Sequence, residues 1–283
     1  MHKTILFDQL TPVALYGKIK EIFPNEITML FESVVNTSDG NFSFITVGAQ
    51  ERLSYKDKTT IYTDKSGHKK TLKEDPFSFL KAYYKAVDQA AYKEKALELG
   101  FSFVDGFIGF IAYDMVKVFE PVLEESMDDL LDPLDTPDLD LVRPKIIIAY
   151  SHKSAKLTMI LNDDSMQEGI EAIETILTNA CTPMPLKAVE LEGEGSFSID
   201  EERFKELVVE SKENIRSGDI FQILLANRYT QKGKIDPLSF YRVLRSKNPS
   251  PYLFLLDYED FSIFSSTKSS EKDLLRQGKC SFS

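Results

Sequence analysis

The stretch that most constrains the fold lies between residues 217 and 256, where the sequence reads SGDIFQILLANRY and, further on, FYRVLRSKNPSPYLFLL. After a helix-breaking Gly-Asp pair, residues Ile220–Leu225 are apolar except for one glutamine. A short apolar run bounded by turn residues predicts a strand that is covered on both faces. Because residues ahead of a proline avoid helical dihedrals, a short helix at Tyr241–Arg245 must end before Pro249, and a stiff turn then leads into a strand at Tyr252–Asp257.

Composition and charge exclude several classes of protein. The chain of 283 residues is 42% hydrophobic and 28% charged, which is ordinary for a soluble globular protein. Its 45 acidic and 34 basic residues give a net charge of −11, and no basic stripe of the kind that binds nucleic acid is present. The N-terminus lacks a signal-peptide core, and no apolar span is long enough to cross a bilayer. We therefore expect a cytoplasmic protein with neither nucleic acid nor a membrane as partner.

No metal site or disulfide is predicted from the residues themselves. Cys181 and Cys280 lie in unrelated contexts, with no histidine or cysteine at ligand spacing from either, and the three histidines are expected at the surface. The run Asp114–Asp140 holds ten acidic residues against one lysine. It contains prolines and lacks the central glycine of a calcium loop, so a solvated connector is favoured.

The first 195 residues alternate groups of strands with helices. Leu10–Phe23 has a helical period behind a Thr-Pro cap, Ile27–Val35 is a mostly apolar strand, and Pro76–Lys95 carries an apolar stripe typical of a helix. Glu32 and Ser33 interrupt the strand, and buried polar groups need partners. The residues alone favour neighbouring backbone or water as those partners over a ligand pocket.

A Pro-, Glu- and Gly-containing segment, 180–195, is the best linker candidate, and it predicts two domains, 1–195 and 196–283. The second opens with Ser198-Ile199-Asp200-Glu201, which has the pattern of a helix capping box. The helix it starts is expected to end at Gly218.

Four motifs in this order resemble the chorismate-binding family of anthranilate synthase component I, the large subunit. They are LFES at 30–33, DGFIGFIAYDMVKVFE at 105–120, SGDIFQ at 217–222 and NPSPY at 248–252. The resemblance implies a mixed α/β (α+β) fold, with antiparallel β-sheets packed face to face, helices around the outside, and an incomplete C-terminus. It also implies a lyase of tryptophan biosynthesis that converts chorismate and ammonia to anthranilate and pyruvate.

The same resemblance implies a Mg²⁺ cofactor and a glutamine amidotransferase subunit as partner. In the family the glutamate ligands of the metal and the acid/base groups follow the NPSPY strand, and this chain contains none of those motifs, so no catalytic or metal residue is assigned. We expect no synthase activity from the chain alone. The serine-rich, basic segment 265–283 replaces the family's pattern, which favours a frameshift or a premature stop over a short natural tail.

A site for L-tryptophan, the feedback inhibitor, is implied where the LFES and NPSPYL segments meet. Its expected residues are Glu32, Ser33, Pro251, Tyr252 and Leu253. The apolar members would hold the indole, and the polar ones would bind the amino-acid end. Two alternatives remain open: the sister aminodeoxychorismate synthase of folate synthesis, and a non-catalytic module that binds tryptophan or another subunit.

Overall fold

A computed structural model describes residues 2–32, 42–123, 127, 134–178, 184–250 and 252–267. Two predicted site residues, Ser33 and Pro251, lie outside the described residues. The chain divides into two compact units: unit 1 comprises Met1–Met184 and Tyr241–Ser283, and unit 2 comprises Pro185–Phe240. The boundary expected near residue 195 lies inside unit 2, because composition does not reveal that the chain returns to unit 1 after residue 240.

The described strands, in chain order, are β1 His2–Leu6, β2 Thr28–Glu32, β3 Phe42–Val47, β4 Glu51–Lys56, β5 Thr59–Thr63, β6 Lys69–Leu72, β7 Ile108–Ile111, β8 Leu139–Arg143, β9 Ile146–Ser151, β10 Lys156–Leu161, β11 Glu190–Phe197, β12 Tyr229–Lys234, β13 Tyr252–Asp257 and β14 Ser262–Thr267. The described helices are α1 Pro12–Ile22, α2 Pro76–Ala86, α3 Gln89–Leu99, α4 Val116–Phe119, α5 Gln167–Thr178, α6 Glu201–Ser217 and α7 Pro237–Lys247. Within the described ranges, no helix has the length and apolar character needed to span a bilayer.

Unit 1 is built on two antiparallel sheets. The larger has seven strands in the order β1-β10-β9-β3-β2-β13-β14, and the smaller has five in the order β6-β5-β4-β8-β7. Met29 and Leu256 of the larger sheet share one apolar cluster with Val142 of the smaller sheet. The sheets therefore pack face to face, with helices outside, and the predicted fold class is confirmed.

The middle of the larger sheet is covered on both faces. Strands β9 and β10 are buried along almost their whole length, as their runs IIIAYS and KLTMIL predict. On one face lie α1 and α5, which contact each other and the sheet. Helix α1 begins after Thr11, whose side chain accepts a hydrogen bond from the Ala14 amide at 3.3 Å, and Pro12 occupies the first turn. The predicted helix and its cap are confirmed.

The smaller sheet is covered by α2, which packs with β4 and β8 in an apolar cluster. The single helix expected over Pro76–Lys95 is two helices, because Asp88 caps the second one. Its carboxylate accepts hydrogen bonds from the amides of Ala90 at 2.9 Å and Ala91 at 3.3 Å. A cap inside an otherwise helical pattern ends one helix and starts another.

The acidic run 114–140 ends inside the smaller sheet, and not in solvent as a connector would. Asp140 of β8 is fully buried and accepts two aligned hydrogen bonds from Arg52, at 2.9 Å and 2.6 Å. Burial raises the pKa of Asp140, and the Arg52 guanidinium opposes that rise. A buried carboxylate requires such a partner, and the arginine lies 88 residues away in sequence.

Unit 2 contains the two-stranded β11-β12 sheet and helix α6. The cap of α6 is Asp200, which accepts a hydrogen bond from the Arg203 amide at 2.8 Å, and the predicted capping box at Ser198 is not formed. The Ser198 hydroxyl instead lies 3.0 Å from the Asn227 side chain. The helix ends at Gly218, whose φ of 87° is left-handed, as predicted.

Candidate functional site

The strand pair β2-β13 places two of the expected site residues opposite each other. Leu253 pairs with Glu32 in antiparallel register, so their side chains share one face of the sheet. Leu253 is 2% exposed and Glu32 is 4% exposed. Tyr252, the residue before Leu253, is 64% exposed. The structure therefore joins Glu32 to Leu253 and leaves Tyr252 on the solvent side.

Helix α7 supplies the partners of the buried Glu32 carboxylate. The Tyr241 hydroxyl donates to Glu32 Oε2 at 2.7 Å, and Arg245 Nε lies 2.9 Å from the same oxygen. The Arg245 contact is an ion pair, because the Nε–H does not point directly at an acceptor among the described residues. The second carboxylate oxygen, Glu32 Oε1, is buried without a partner among the described residues.

Burial dominates the electrostatics of this carboxylate. It raises the pKa of Glu32, and the positive charge of Arg245 and the Tyr241 hydrogen bond offset that rise only in part. Burial also raises the pKa of Tyr241, with the Glu32 charge adding to the effect, so the phenol remains a proton donor. Within the described part of the chain, the site therefore presents one satisfied and one unsatisfied acceptor oxygen beside the Arg245 guanidinium.

Neither Tyr241 nor Arg245 was identified from the sequence. They lie four residues apart on α7, which places both on the same helix face. A tyrosine and an arginine at this spacing, next to a strand with a buried glutamate, form a suitable counterpart to that carboxylate. Identifying Tyr241 and Arg245 as partners of Glu32 requires knowing that α7 packs against β2. The four-residue spacing does not contain that information.

His152 extends the polar region across β3 and β9. Its Nε2 lies 2.8 Å from the Ser43 hydroxyl, and its ring meets Tyr150 edge-on. Burial lowers the pKa of His152, and the charge of Arg245 lowers it further.

A second polar cluster, the Arg143 cluster, includes Asp105 of the DGFIGF motif and is separate from the site around Glu32. Arg143 donates to Asp105 at 2.8 Å and 2.6 Å and to Glu51 at 2.7 Å. Tyr83 donates to Glu51 at 2.9 Å, and Tyr92 donates to Asp105 at 3.1 Å. Every polar group in this cluster has a partner, which fits a structural role in fastening α2 and α3 to the smaller sheet.

An open polar cleft elsewhere in unit 1 carries no clear ligand preference. It encloses about 980 Å³, including open solvent, and its ionisable lining is balanced between four acids and four bases. They are Glu51, Asp64, Asp163, Glu259, Arg52, Lys65, Lys69 and Lys145. Glu32 is not part of it. Among the described residues, no group of three or more His, Cys, Asp or Glu side chains is arranged to hold a metal ion, so the Mg²⁺ implied by the resemblance does not fit them.

The family of the chain follows from its similarity to known proteins. Residues 29–272 match the family described as chorismate binding enzyme. The chain belongs to this family. The match spans most of the 283 residues and includes β2 and β13, the strands that carry Glu32 and Leu253.

Members of the chorismate binding enzyme family resemble this chain over nearly its whole length. It is 28% identical to anthranilate synthase component 1 of Aquifex aeolicus over 94% of the chain, and 30% identical to that of Thermus thermophilus over 95%. It covers 54% and 55% of those two proteins, so the chain spans about half the length of the curated relatives it matches. The crystal structure of anthranilate synthase component I from Streptococcus pneumoniae superposes with a TM-score of 0.59 at 22% identity, covering 83% of this chain and 52% of that one. This likeness supports the same fold.

Proposed function

We propose that this chain is the inhibitor-binding portion of an anthranilate synthase component I and that it binds L-tryptophan beside Glu32. The observation that carries the proposal is a pair of buried, unsatisfied atoms in one place. Among the described residues, Glu32 Oε1 is an acceptor without a donor, and Arg245 Nε, although paired by charge with Glu32 Oε2 at 2.9 Å, has no aligned acceptor. Together they complement an α-amino acid, whose ammonium donates and whose carboxylate accepts.

The register of β2 and β13 supports the position of this site. It brings the LFES and NPSPYL segments together at Glu32 and Leu253, and apolar Leu253 suits contact with an indole. Ser33 follows Glu32 directly and Pro251 lies two residues before Leu253, and we propose that they complete the pocket. Tyr252, which is exposed, would contact the ligand only from the rim.

The wider activity is proposed from the family. The complete enzyme would take chorismate and ammonia to anthranilate and pyruvate in tryptophan biosynthesis in the cytoplasm, with a glutamine amidotransferase subunit supplying the ammonia. The Mg²⁺ ligands and the acid/base residues would come from the part of the family fold that this chain does not span. The metal would supply charge neutralisation at a substrate carboxylate.

Calorimetric titration of the folded 283-residue chain with L-tryptophan is expected to give one-site binding. Replacing Glu32 with glutamine should weaken this binding about 10- to 100-fold, because it removes a charge-assisted hydrogen bond to the ligand ammonium. Glu21→Gln is the matched control, since Glu21 is an exposed acid of the same unit. It should leave the dissociation constant unchanged.

Two further ligands sharpen this test. D-Tryptophan should bind more weakly than the L-isomer. With the opposite configuration at Cα, its ammonium and carboxylate cannot reach Glu32 and Arg245 while its indole contacts Leu253. The absence of any heat with L-tryptophan, from a chain whose circular dichroism reports a folded state, would contradict the proposal. Equal binding by the wild-type chain and Glu32→Gln would place the ligand elsewhere.

The purified chain by itself is expected to form no anthranilate from chorismate, ammonia and Mg²⁺. The physical reason is that, in the described part of the chain, no group of three or more His, Cys, Asp or Glu side chains is arranged to hold the metal. Anthranilate fluorescence gives a sensitive readout, with a complete anthranilate synthase as the positive control. Turnover above the buffer blank would show that the described fold has chemistry we have not assigned.

A further inference from the structure

The open polar cleft lies where turns of the two sheets of unit 1 meet. Its walls include the start of β4, the turn between β5 and β6, and the residues that follow β10. Strands β4, β5 and β6 belong to the smaller sheet, and β10 belongs to the larger one. The equal numbers of acids and bases around the cleft give no ligand preference by themselves. A preference follows from which of these groups are already paired within the protein.

Five of the eight ionisable groups that line the cleft contact an opposite charge of the protein itself. The pairs are Glu51–Arg143 at 2.7 Å, Lys145–Glu26 at 3.2 Å, Arg52–Asp140 at 2.6 Å, Glu259–Arg52 at 3.7 Å and Asp64–Lys70 at 3.6 Å. The charges of these five groups are therefore largely compensated without a ligand.

The remaining three groups, two cations and one anion, form no ion pair among the described residues. They are Lys65, Lys69 and Asp163, and both lysines are exposed. Asp163 accepts a hydrogen bond from the Ser165 amide at 2.9 Å. Burial would raise the pKa of Asp163, but hydrogen bonds from Ser165 and the charges of Lys145 and Lys65 outweigh that effect and lower the pKa. The Asp163 carboxylate is therefore ionised at neutral pH.

Gln50 adds a buried acceptor to the wall of the cleft. Its Nε2 donates to the Asn162 carbonyl oxygen at 2.7 Å, which fixes the orientation of the carboxamide. Its Oε1 is buried and has no hydrogen-bond partner among the described residues. Leaving a buried acceptor without a donor is unfavourable, so a ligand that supplies an N–H at this wall gains affinity.

We propose that this cleft binds a small aminodicarboxylate, the class of molecule to which glutamate and aspartate belong. Its two carboxylates would pair with Lys65 and Lys69, and its ammonium would donate to Asp163 and to Gln50 Oε1. The single net negative charge of such a ligand compensates the single positive charge in excess among the three unpaired groups.

Other classes of ligand fit this arrangement less well. A cation meets two unpaired lysines, and a dicarboxylate without an ammonium leaves Asp163 and Gln50 Oε1 without a donor. The turn that carries Lys65 is already fixed, because the Asp64 carboxylate accepts hydrogen bonds from the amides of Ser66 at 3.0 Å and His68 at 3.1 Å. The ligand would therefore meet a turn that needs little ordering on binding.

An NMR titration of the isotope-labelled 283-residue chain with L-glutamate and with L-aspartate measures this binding. One of the two is expected to give saturable amide shifts confined to residues 63–69 and 163–165 and the neighbourhood of Gln50. Glutarate, which has the carbon chain of glutamate but no ammonium, should bind about 10-fold more weakly than glutamate. Inorganic phosphate should be equally poor. Saturating L-tryptophan should not displace the acidic amino acid, because the site around Glu32 is not part of the cleft.

Paired substitutions locate the site. Lys65→Gln with Lys69→Gln should weaken binding about 10-fold, because two exposed charge pairs with the ligand are lost. The matched control is Lys81→Gln, at an exposed lysine of α2 that does not line the cleft, and it should leave the dissociation constant unchanged. Circular dichroism establishes that each variant is folded.

Three results would overturn the proposal. The first is no saturable shift with either amino acid, and the second is binding of glutarate or phosphate as tight as that of glutamate, which would reveal an unselective anion site. The third is displacement of the acidic amino acid by L-tryptophan, which would place it beside Glu32.

Discussion

Replacing Arg143 with alanine is expected to destabilise the chain by about 3–5 kcal/mol, the cost of leaving buried carboxylates without their cation. Arg143 is the partner of both Glu51, which is buried, and Asp105, whose side chain is 9% exposed. The tyrosines that remain can donate hydrogen bonds but cannot neutralise two charges. Urea denaturation followed by circular dichroism measures the change. Lys70→Ala removes an exposed ion pair of the same sheet and should cost less than about 1 kcal/mol.

The pH dependence of unfolding gives this prediction a second signature. Burial alone would raise the pKa of Glu51 and of Asp105, but hydrogen bonds and the charge of Arg143 outweigh it, so both lie below their ordinary values. A depressed carboxyl pKa adds stability above the unfolded-state pKa, about 4, and that stability is lost as the pH falls through the folded-state value. Without Arg143, the effect of burial on the pKa values of Glu51 and Asp105 is no longer outweighed, and both values rise. The alanine variant should therefore lose less stability on acidification than the wild type. A parallel pH dependence in both proteins would contradict the assigned role of Arg143.

Replacing Gly109 with alanine is expected to cost about 3 kcal/mol, near the upper end of the range for overpacked sites. An added Cβ would lie 2.1 Å from the Asp140 carbonyl oxygen and 2.8 Å from the Tyr258 hydroxyl. Tyr258 itself donates to that carbonyl at 2.7 Å, so neither group can move away without breaking the contact. The paired strands β7 and β8 must separate to admit the methyl group. A shift of the urea midpoint measures the loss.

Gly67→Ala separates the clash from backbone strain. Gly67 has a positive φ of 79°, a backbone conformation that is unfavourable for alanine. Nothing lies within 4 Å of a Cβ added there. It should cost about 1 kcal/mol. If both alanine variants lost the same free energy of unfolding, β7 and β8 would have separated at no cost. The close approach at Gly109 would then not contribute to stability.

The sequence predicted elements whose determinants are local. The Thr-Pro cap of α1, the left-handed Gly218 that ends α6, and the apolar runs of β9 and β10 each depend on a few neighbouring residues. The motif resemblance supplied the sheet architecture that these signals could not give.

Features that depend on distant partners were missed. The segment 180–195, expected as a linker, overlaps β11, because pairing with β12 satisfies the backbone hydrogen bonds of β11 regardless of its side chains. The strand at 220–225 was predicted from its apolar pattern and is absent, because a strand also requires a neighbour to bond with. Tyr241 and Arg245 were missed because their role depends on α7 packing against β2.

The Glu32–Leu253 pairing has a consequence for how this protein is made. Strand β13 joins the larger sheet between β2 and β14, although β2 is separated from it by more than two hundred residues of chain. A ribosome adds about 5–20 residues per second, so the edge of β2 waits roughly 10–45 s for its neighbour. An exposed edge invites pairing with other nascent chains during that interval. Slower translation should therefore lower the soluble yield, unless a chaperone shields β2 until residue 257 has emerged.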